Sequence, residues 1–218
     1  ANPFSVRTKV GPLDRSALFG REAPLEIELG CGAGAFLLER ATNHPELDFV
    51  GFEIRDPLVE RANELARARG LPNLVYLYAN AHLNHEGLIP PGAAQRFHVH
   101  FPDPCFKKRH WKRRLLQPAV VRQMSQLLAL GGEVYAQSDV KPLAEEMYDF
   151  LAAEAALESV LGADLLVERP LPERTEWERQ HERENEPIYR MLFRKVREPA
   201  GPVPELPFRR TQPEIRPG

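Results

Sequence analysis

Cysteine is scarce. Cys31 and Cys105 are the only two in 218 residues, too few for a disulfide framework and suited to a reducing compartment. No apolar run approaches the roughly 20 residues needed to cross a bilayer, and the opening ANPFSVRTKV contains no apolar leader core. These absences give the expectation of a soluble, cytoplasmic protein with no membrane partner. Net charge is small as well: 29 Lys and Arg against 31 Asp and Glu leave a formal charge of -2. Attraction to a polyanion must therefore come from a local concentration of charge. Metal ligands do not cluster either. His98 and His100 share a strand face and His82 and His85 lie a helical turn apart, but neither pair brings a third ligand in sequence, so no metal is expected.

What the chain does have is an apolar content of 43%, enough for one sizeable core, and one concentrated block of positive charge. Phe97, Val99 and Phe101 alternate as in a strand. Pro102 and Pro104 then break the pattern, because neither can donate to a sheet ladder, and they hold Asp103 in an extended turn. That places a carboxylate just past a strand's carboxyl end, where open α/β sheets bind ligands. Lys107, Lys108, Arg109, His110, Trp111, Lys112, Arg113 and Arg114 follow directly. Such a block is by default a solvated helix face. In a slightly acidic chain it reads instead as the local footprint of a nucleic-acid contact.

A second stretch carries chemistry. Leu25-Glu26-Ile27-Glu28-Leu29 alternates like a strand, Gly30-Cys31-Gly32-Ala33-Gly34 forms a turn, and residues 35–41 restore helical spacing. Glycines there let a ligand lie against bare backbone at a helix amino terminus, where amide groups are unpaired. The next strand, residues 48–53, ends in Glu53, about twenty residues beyond the loop, as expected of a ribose ligand. The spacing is G-x-G-x-G, not the dinucleotide G-x-G-x-x-G, and Glu28 sits two residues before the first glycine. An acid there repels a pyrophosphate and attracts an ammonium or a sulfonium; S-adenosylmethionine has both and no phosphate.

Elsewhere the alternation of helix and strand predicts a parallel sheet with right-handed crossovers. Residues 1–24 read as a loosely ordered entry segment. Residues 55–70 read as a helix, and 74–77 as a strand ending near Asn80, which suits an adenine partner and a helix N-cap equally. Residues 115–130 read as a helix stopped by Gly131-Gly132, 133–137 as a strand closing in Ser138-Asp139, and 141–154 as a helix with Pro142 in its first turn. A short strand is expected at 164–168 and a longer one at 188–196. Thr175 and Glu178 have capping-box spacing. From residue 197 the chain is Pro-rich and reads as a flexible tail.

Residues 25–34, Glu53, Phe101-Pro102-Asp103-Pro104, the 109–114 run, Ser138-Asp139 and Thr175-x-x-Glu178 together resemble the bacterial tRNA (guanine-N7-)-methyltransferases. The resemblance covers residues 25–196. It implies a Rossmann-like class I methyltransferase fold, a mostly parallel seven-stranded sheet with helices on both faces. It also implies methyl transfer from S-adenosylmethionine to N7 of guanosine 46 in the tRNA variable loop. Glu28, Gly30, Gly32, Gly34, Glu53 and Asn80 then fall on cofactor positions and Asp103 on the catalytic acid. Lys107, Asp139, Thr175 and Glu178 fall on substrate positions, and Arg109, His110, Trp111, Lys112, Arg113 and Arg114 on the RNA contact. The family commonly has Asp where this chain has Asn80 and an aromatic residue where it has Cys105. Two alternatives stand beside this reading: an exocyclic-amine nucleic-acid methyltransferase, whose motif after the fourth strand carries a second proline where Asp103-Pro104-Cys105-Phe106 has Cys105, and a non-catalytic RNA-binding subunit. The oligomeric state is open between monomer and homodimer.

Overall fold

The computed structural model describes residues 12–79 and 87–210. Seven strands build one sheet: β1 (Leu25–Leu29), β2 (Asp48–Glu53), β3 (Leu74–Tyr78), β4 (Ala94–His100), β5 (Leu128–Ser138), β6 (Leu157–Ser159) and β7 (Tyr189–Lys195). Their order is β3-β2-β1-β4-β5-β7-β6. Pairing is parallel from β3 through β5, and β7 runs antiparallel to both β5 and β6. The order reverses between β1 and β4, and the carboxyl ends of these two neighbours open the crevice where such sheets bind ligands.

Helices cover both faces. α4 (Pro118–Leu127) and α5 (Lys141–Ala152) pack Val121, Met124, Met147 and Phe150 with Ile27, Val50, Phe97 and Val99 of the sheet. α2 (Ala35–Asn43) and α3 (Asp56–Ala68) bring Phe36, Leu37, Val59 and Ala62 to Phe49 and Tyr76. All five residues of β1 are buried, including two acids. Glu26 is satisfied by Arg40 of α2, by Arg96 and by His98 Nε2 at 2.8 Å. Burial alone would raise the Glu26 carboxyl, but the hydrogen bonds from Arg40 and His98 hold it well below the usual carboxylate range.

Several expectations change. The helix expected over 115–130 is α4, which ends at Leu127. Gly131 and Gly132 lie inside β5. There the register with β4 jumps from Ala94 opposite Leu128 to Arg96 opposite Glu133, so the glycines occupy a bulge. Gly132 is required because a Cβ would stand 2.9 Å from the carbonyls of Ala129 and Gln95. No strand forms over 164–168; the sixth strand is β6, although the Leu165 carbonyl accepts from Arg190 at 2.7 Å. The entry segment is partly folded. α1 (Arg15–Phe19) is capped by Asp14, and Arg21 meets the buried Asp48 at 2.9 Å.

The Pro-rich segment is also fixed as far as it is described. Residues 197–210 contain no helix or strand, but Arg122 donates to the carbonyls of Ala200, Gly201 and Pro202. Phe208 packs edge-on against Phe150 with ring centroids 5.9 Å apart. Arg209 pairs with Glu145 and Asp149 of α5. An unstructured tail is therefore not what residues 197–210 form.

Candidate active site

Gly30, Gly32 and Gly34 all adopt positive φ, at 77°, 56° and 78°, a left-handed conformation that side chains disfavour. Gly34 is doubly constrained: a Cβ would sit 2.6 Å from the Tyr76 ring, whose hydroxyl donates to the Gly34 carbonyl at 2.6 Å. The loop consequently turns tightly from β1 into α2 and lines a cavity of about 460 Å³. Glu28, Gly32, Arg55, Pro104, Asp139 and Trp177 are among the residues lining it. A larger cavity, about 700 Å³, lies near the amino ends of β4 and β5. Among the described residues its only titratable lining group is Glu198, so it offers little chemistry.

Glu28 is buried at the end of β1. His100 Nδ1 donates to its Oε1 at 3.0 Å, while Oε2 is buried with no hydrogen-bond partner among the described residues. A buried carboxylate oxygen left unpaired costs free energy unless a donor arrives. Glu53 differs. Its carboxylate accepts from the amides of Gly32, Ile54 and Arg55 and is clamped by the Arg55 guanidinium at 3.0 and 3.1 Å. Sequence spacing identified both acids but not His100 or Arg55, whose roles come from side-chain contact. Asn80 lies outside the described residues.

The segment after β4 carries backbone strain at both ends. Phe101 and Cys105 have φ of 47° and 46°, uncommon for any side chain and especially for a bulky one. Between them Pro102 and Pro104 line the cavity, and Asp103 is exposed. Its Oδ1 accepts from the Cys105 amide at 2.8 Å, closing an Asx turn. Burial, and then the Asp103 charge, push the Cys105 thiol up to about 11, so it stays protonated.

Across the cavity, Asp139 follows β5. Its Oδ2 accepts from Trp177 Nε1 at 3.3 Å and faces His181 Nε2 at 3.4 Å. Thr175 lines the cavity and caps α6 (Glu176–Arg183) by accepting from the Glu178 amide at 3.0 Å. Only half of a capping box forms. The Glu178 carboxylate is buried and binds Arg190 at 2.9 Å and Gln137 at 3.2 Å, tying α6 to β7 and β5. It does not line the cavity with Thr175 and Asp139, which corrects its placement among substrate ligands.

The family model described as a putative methyltransferase matches residues 22–191. A curated protein of Trichormus variabilis, named tRNA (guanine-N(7)-)-methyltransferase, is 41% identical over 201 residues, covering 89% of this chain and 94% of its own. One of the same name from Synechococcus elongatus is 45% identical over 182 residues, covering 82% and 84%. The chain belongs to the tRNA (guanine-N7-)-methyltransferases. Solved structures agree on the fold. The antibiotic-resistance methyltransferase Kmr aligns with TM-score 0.60 at 20% identity, covering 84% of this chain and 92% of that one. An aminoglycoside resistance methyltransferase aligns with TM-score 0.58, also at 20% identity, covering 83% and 91%.

In this family member the cationic block is a 3₁₀ helix, Lys108–Arg113, preceded by Lys107. Lys107, Lys108, Arg109, Lys112 and Arg113 are exposed beside the cavity loop, and His110 and Trp111 are half-buried. Three residues per turn stack Arg109 over Lys112 and His110 over Arg113. Slight desolvation, and then the charges of Arg113, Arg109 and Lys107, hold His110 below its ordinary pKa, a sign of positive potential. Arg114 is the exception. It is 1% exposed and its guanidinium binds Glu146 at 2.6 Å and the carbonyls of Pro104 and Arg209 at 2.9 Å. The structure thus removes Arg114 from the RNA-facing set and makes it an internal tether. Among the described residues, no group of three or more His, Cys, Asp or Glu suits a metal ion.

Proposed function

We propose that this enzyme transfers a methyl group from S-adenosylmethionine to N7 of a guanosine in tRNA, at position 46 of the variable loop. One observation carries the reading. A single cavity joins the glycine loop and the unpaired Glu28 oxygen to the Pro102 and Pro104 walls of the Asp103 turn, with the cationic 3₁₀ helix following that turn. The residues fit the cofactor: Glu28 Oε2 needs a donor such as the ammonium group, and the loop admits a ligand against bare backbone. Glu53 would take the ribose hydroxyls, with Arg55 yielding one of its contacts. When bound, S-adenosylmethionine supplies an electrophilic methyl on a sulfonium sulfur.

Guanine N7 carries an exposed lone pair, so no side chain has to remove a proton before attack. The chain's task is alignment, a contribution that reaches about 7–11 kcal/mol in favourable systems. Asp103 and Asp139 would accept from the guanine N1-H and N2-H and face the positive charge that develops on the purine. Lys107, Arg109, Lys112 and Arg113 would neutralise phosphates. Support for tRNA as substrate comes from the relatives' names together with this exposed cationic surface.

The test is incubation of the protein with labelled cofactor and unmodified tRNA, followed by nucleoside analysis. Label in 7-methylguanosine is expected. Label in an N-methylated exocyclic amine, or none, would overturn the proposal.

A further inference from the structure

Trp177 is the most conspicuous aromatic side chain of the cavity that the proposed chemistry leaves unused. It is 46% exposed, although large apolar rings normally find cover, and it lines the same cavity as Pro102, Pro104 and Asp139. Its position is fixed from two sides. The indole N-H donates to Asp139 Oδ2 at 3.3 Å, and the ring rests on His181 with centroids 4.9 Å apart at 48°. His181 is itself 3% exposed and held by Glu186 at 3.1 Å and by the Trp177 carbonyl at 3.1 Å. The indole is therefore braced rather than floating on the helix surface, and it is anchored to the acid proposed to hold guanine.

We infer that Trp177 is the stacking platform for the target purine. The inference rests on the guanine-N7 reading and deepens it. A base drawn out of an RNA must replace the stacking partner it leaves behind, and an aromatic face does so for any base. Methylation at N7 adds a further element. Positive charge moves onto the purine as the methyl arrives, and an indole face attracts a cation more strongly than a neutral ring. The stacking then tightens along the reaction coordinate, which is the property that raises kcat and not merely affinity. Asp139 and Trp177 would act as one unit, the carboxylate on the purine edge and the indole on its face.

The experiment has two arms. In single-turnover methylation of unmodified tRNA, Trp177→Ala should lose about tenfold or more in rate at saturating cofactor, and Trp177→Phe should recover most of it. Calorimetric binding of S-adenosylmethionine should be unchanged in both. In the second arm, Trp111→Phe leaves Trp177 as the sole tryptophan of the two in the chain. Its fluorescence should be quenched by guanosine 5′-monophosphate, and more strongly by the cationic 7-methylguanosine 5′-monophosphate. A folded Trp177→Ala with the wild-type rate, or absence of quenching by both nucleotides, overturns the inference. If wild-type protein makes 7-methylguanosine in either case, the proposed function survives. If the wild-type product is another nucleoside, that proposal fails instead.

Discussion

Arg114 donates through Nε to the carbonyl oxygen of Pro104 at 2.9 Å, ten residues back along the chain. The turn that presents Asp103 is thereby held from its own carboxyl side. The same guanidinium binds Glu146 of α5 and the carbonyl of Arg209, so the strained turn, a helix on one sheet face and the Pro-rich segment share one buried cation. Burial raises the Glu146 carboxyl, and the Arg114 hydrogen bond opposes that shift.

Arg114→Ala should therefore act on stability. Removing one member of a buried pair leaves the other charge uncompensated, at a cost of about 3–5 kcal/mol. Thermal melting should show a large drop in Tm. A variant that melts like the wild type would show that the tether carries no weight.

Arg109→Ala combined with Arg113→Ala should do the reverse. Both residues are exposed, and surface changes of this kind cost within about 0.5 kcal/mol of stability. The slope of log affinity for tRNA against log salt should flatten by roughly 0.7–0.9 for each phosphate that is no longer neutralised. An unaltered slope would place the phosphates elsewhere.

Glu28→Gln keeps an acceptor for His100 but removes the charge awaiting an ammonium group. Affinity for S-adenosylmethionine should fall by about 1.5–3 kcal/mol, the range for a charge-assisted hydrogen bond. Titration calorimetry reads this directly, and an unchanged Kd would take Glu28 out of the cofactor site.

Asp103→Asn separates turn from chemistry. An amide oxygen preserves the acceptor for the Cys105 amide, so fold and cofactor affinity should hold. Removal of the negative charge facing the purine should slow single-turnover methyl transfer at least about 100-fold, near 2.7 kcal/mol. A normal rate would reduce Asp103 to its Asx turn.

His98 gives a pH prediction. Burial drives its pKa down to about 3 against the pull of Glu26, so it is neutral in the folded protein and its Nε2-H donates to Glu26. The unfolded chain binds a proton near pH 6.5 while the native state does not. A depressed folded value means the contribution is fully present above 6.5 and is lost as pH falls from there toward about 3. Between pH 6.5 and 5, denaturant unfolding should report a loss of about 2 kcal/mol from this group. His98→Phe should flatten that part of the profile, and an identical slope in the variant would contradict the assignment.

The sequence by itself determined what depends on neighbours along the chain. Period-2 alternation marked β1 and β4, the glycines marked the turn into α2, and the two prolines around Asp103 marked where β4 must end, because local sterics and fixed φ act over a few residues. The roles proposed for Glu28, Glu53, Asp103 and Asp139 rest on their places at strand ends. Only the tertiary structure decided which charges are used up inside. Arg114 reads like Arg113 in sequence, and it is buried because Glu146 and the Arg209 carbonyl, 32 and 95 residues away, meet it. His100 holds Glu28 across a separation of 72 residues, and Glu178 turns from its expected ligand role to Arg190 and Gln137. The ordering of the Pro-rich segment through Phe208 and Arg209 is of the same kind. Periodicity carries no record of such pairs, since a buried ion pair is chosen by which surfaces the sheet topology brings together.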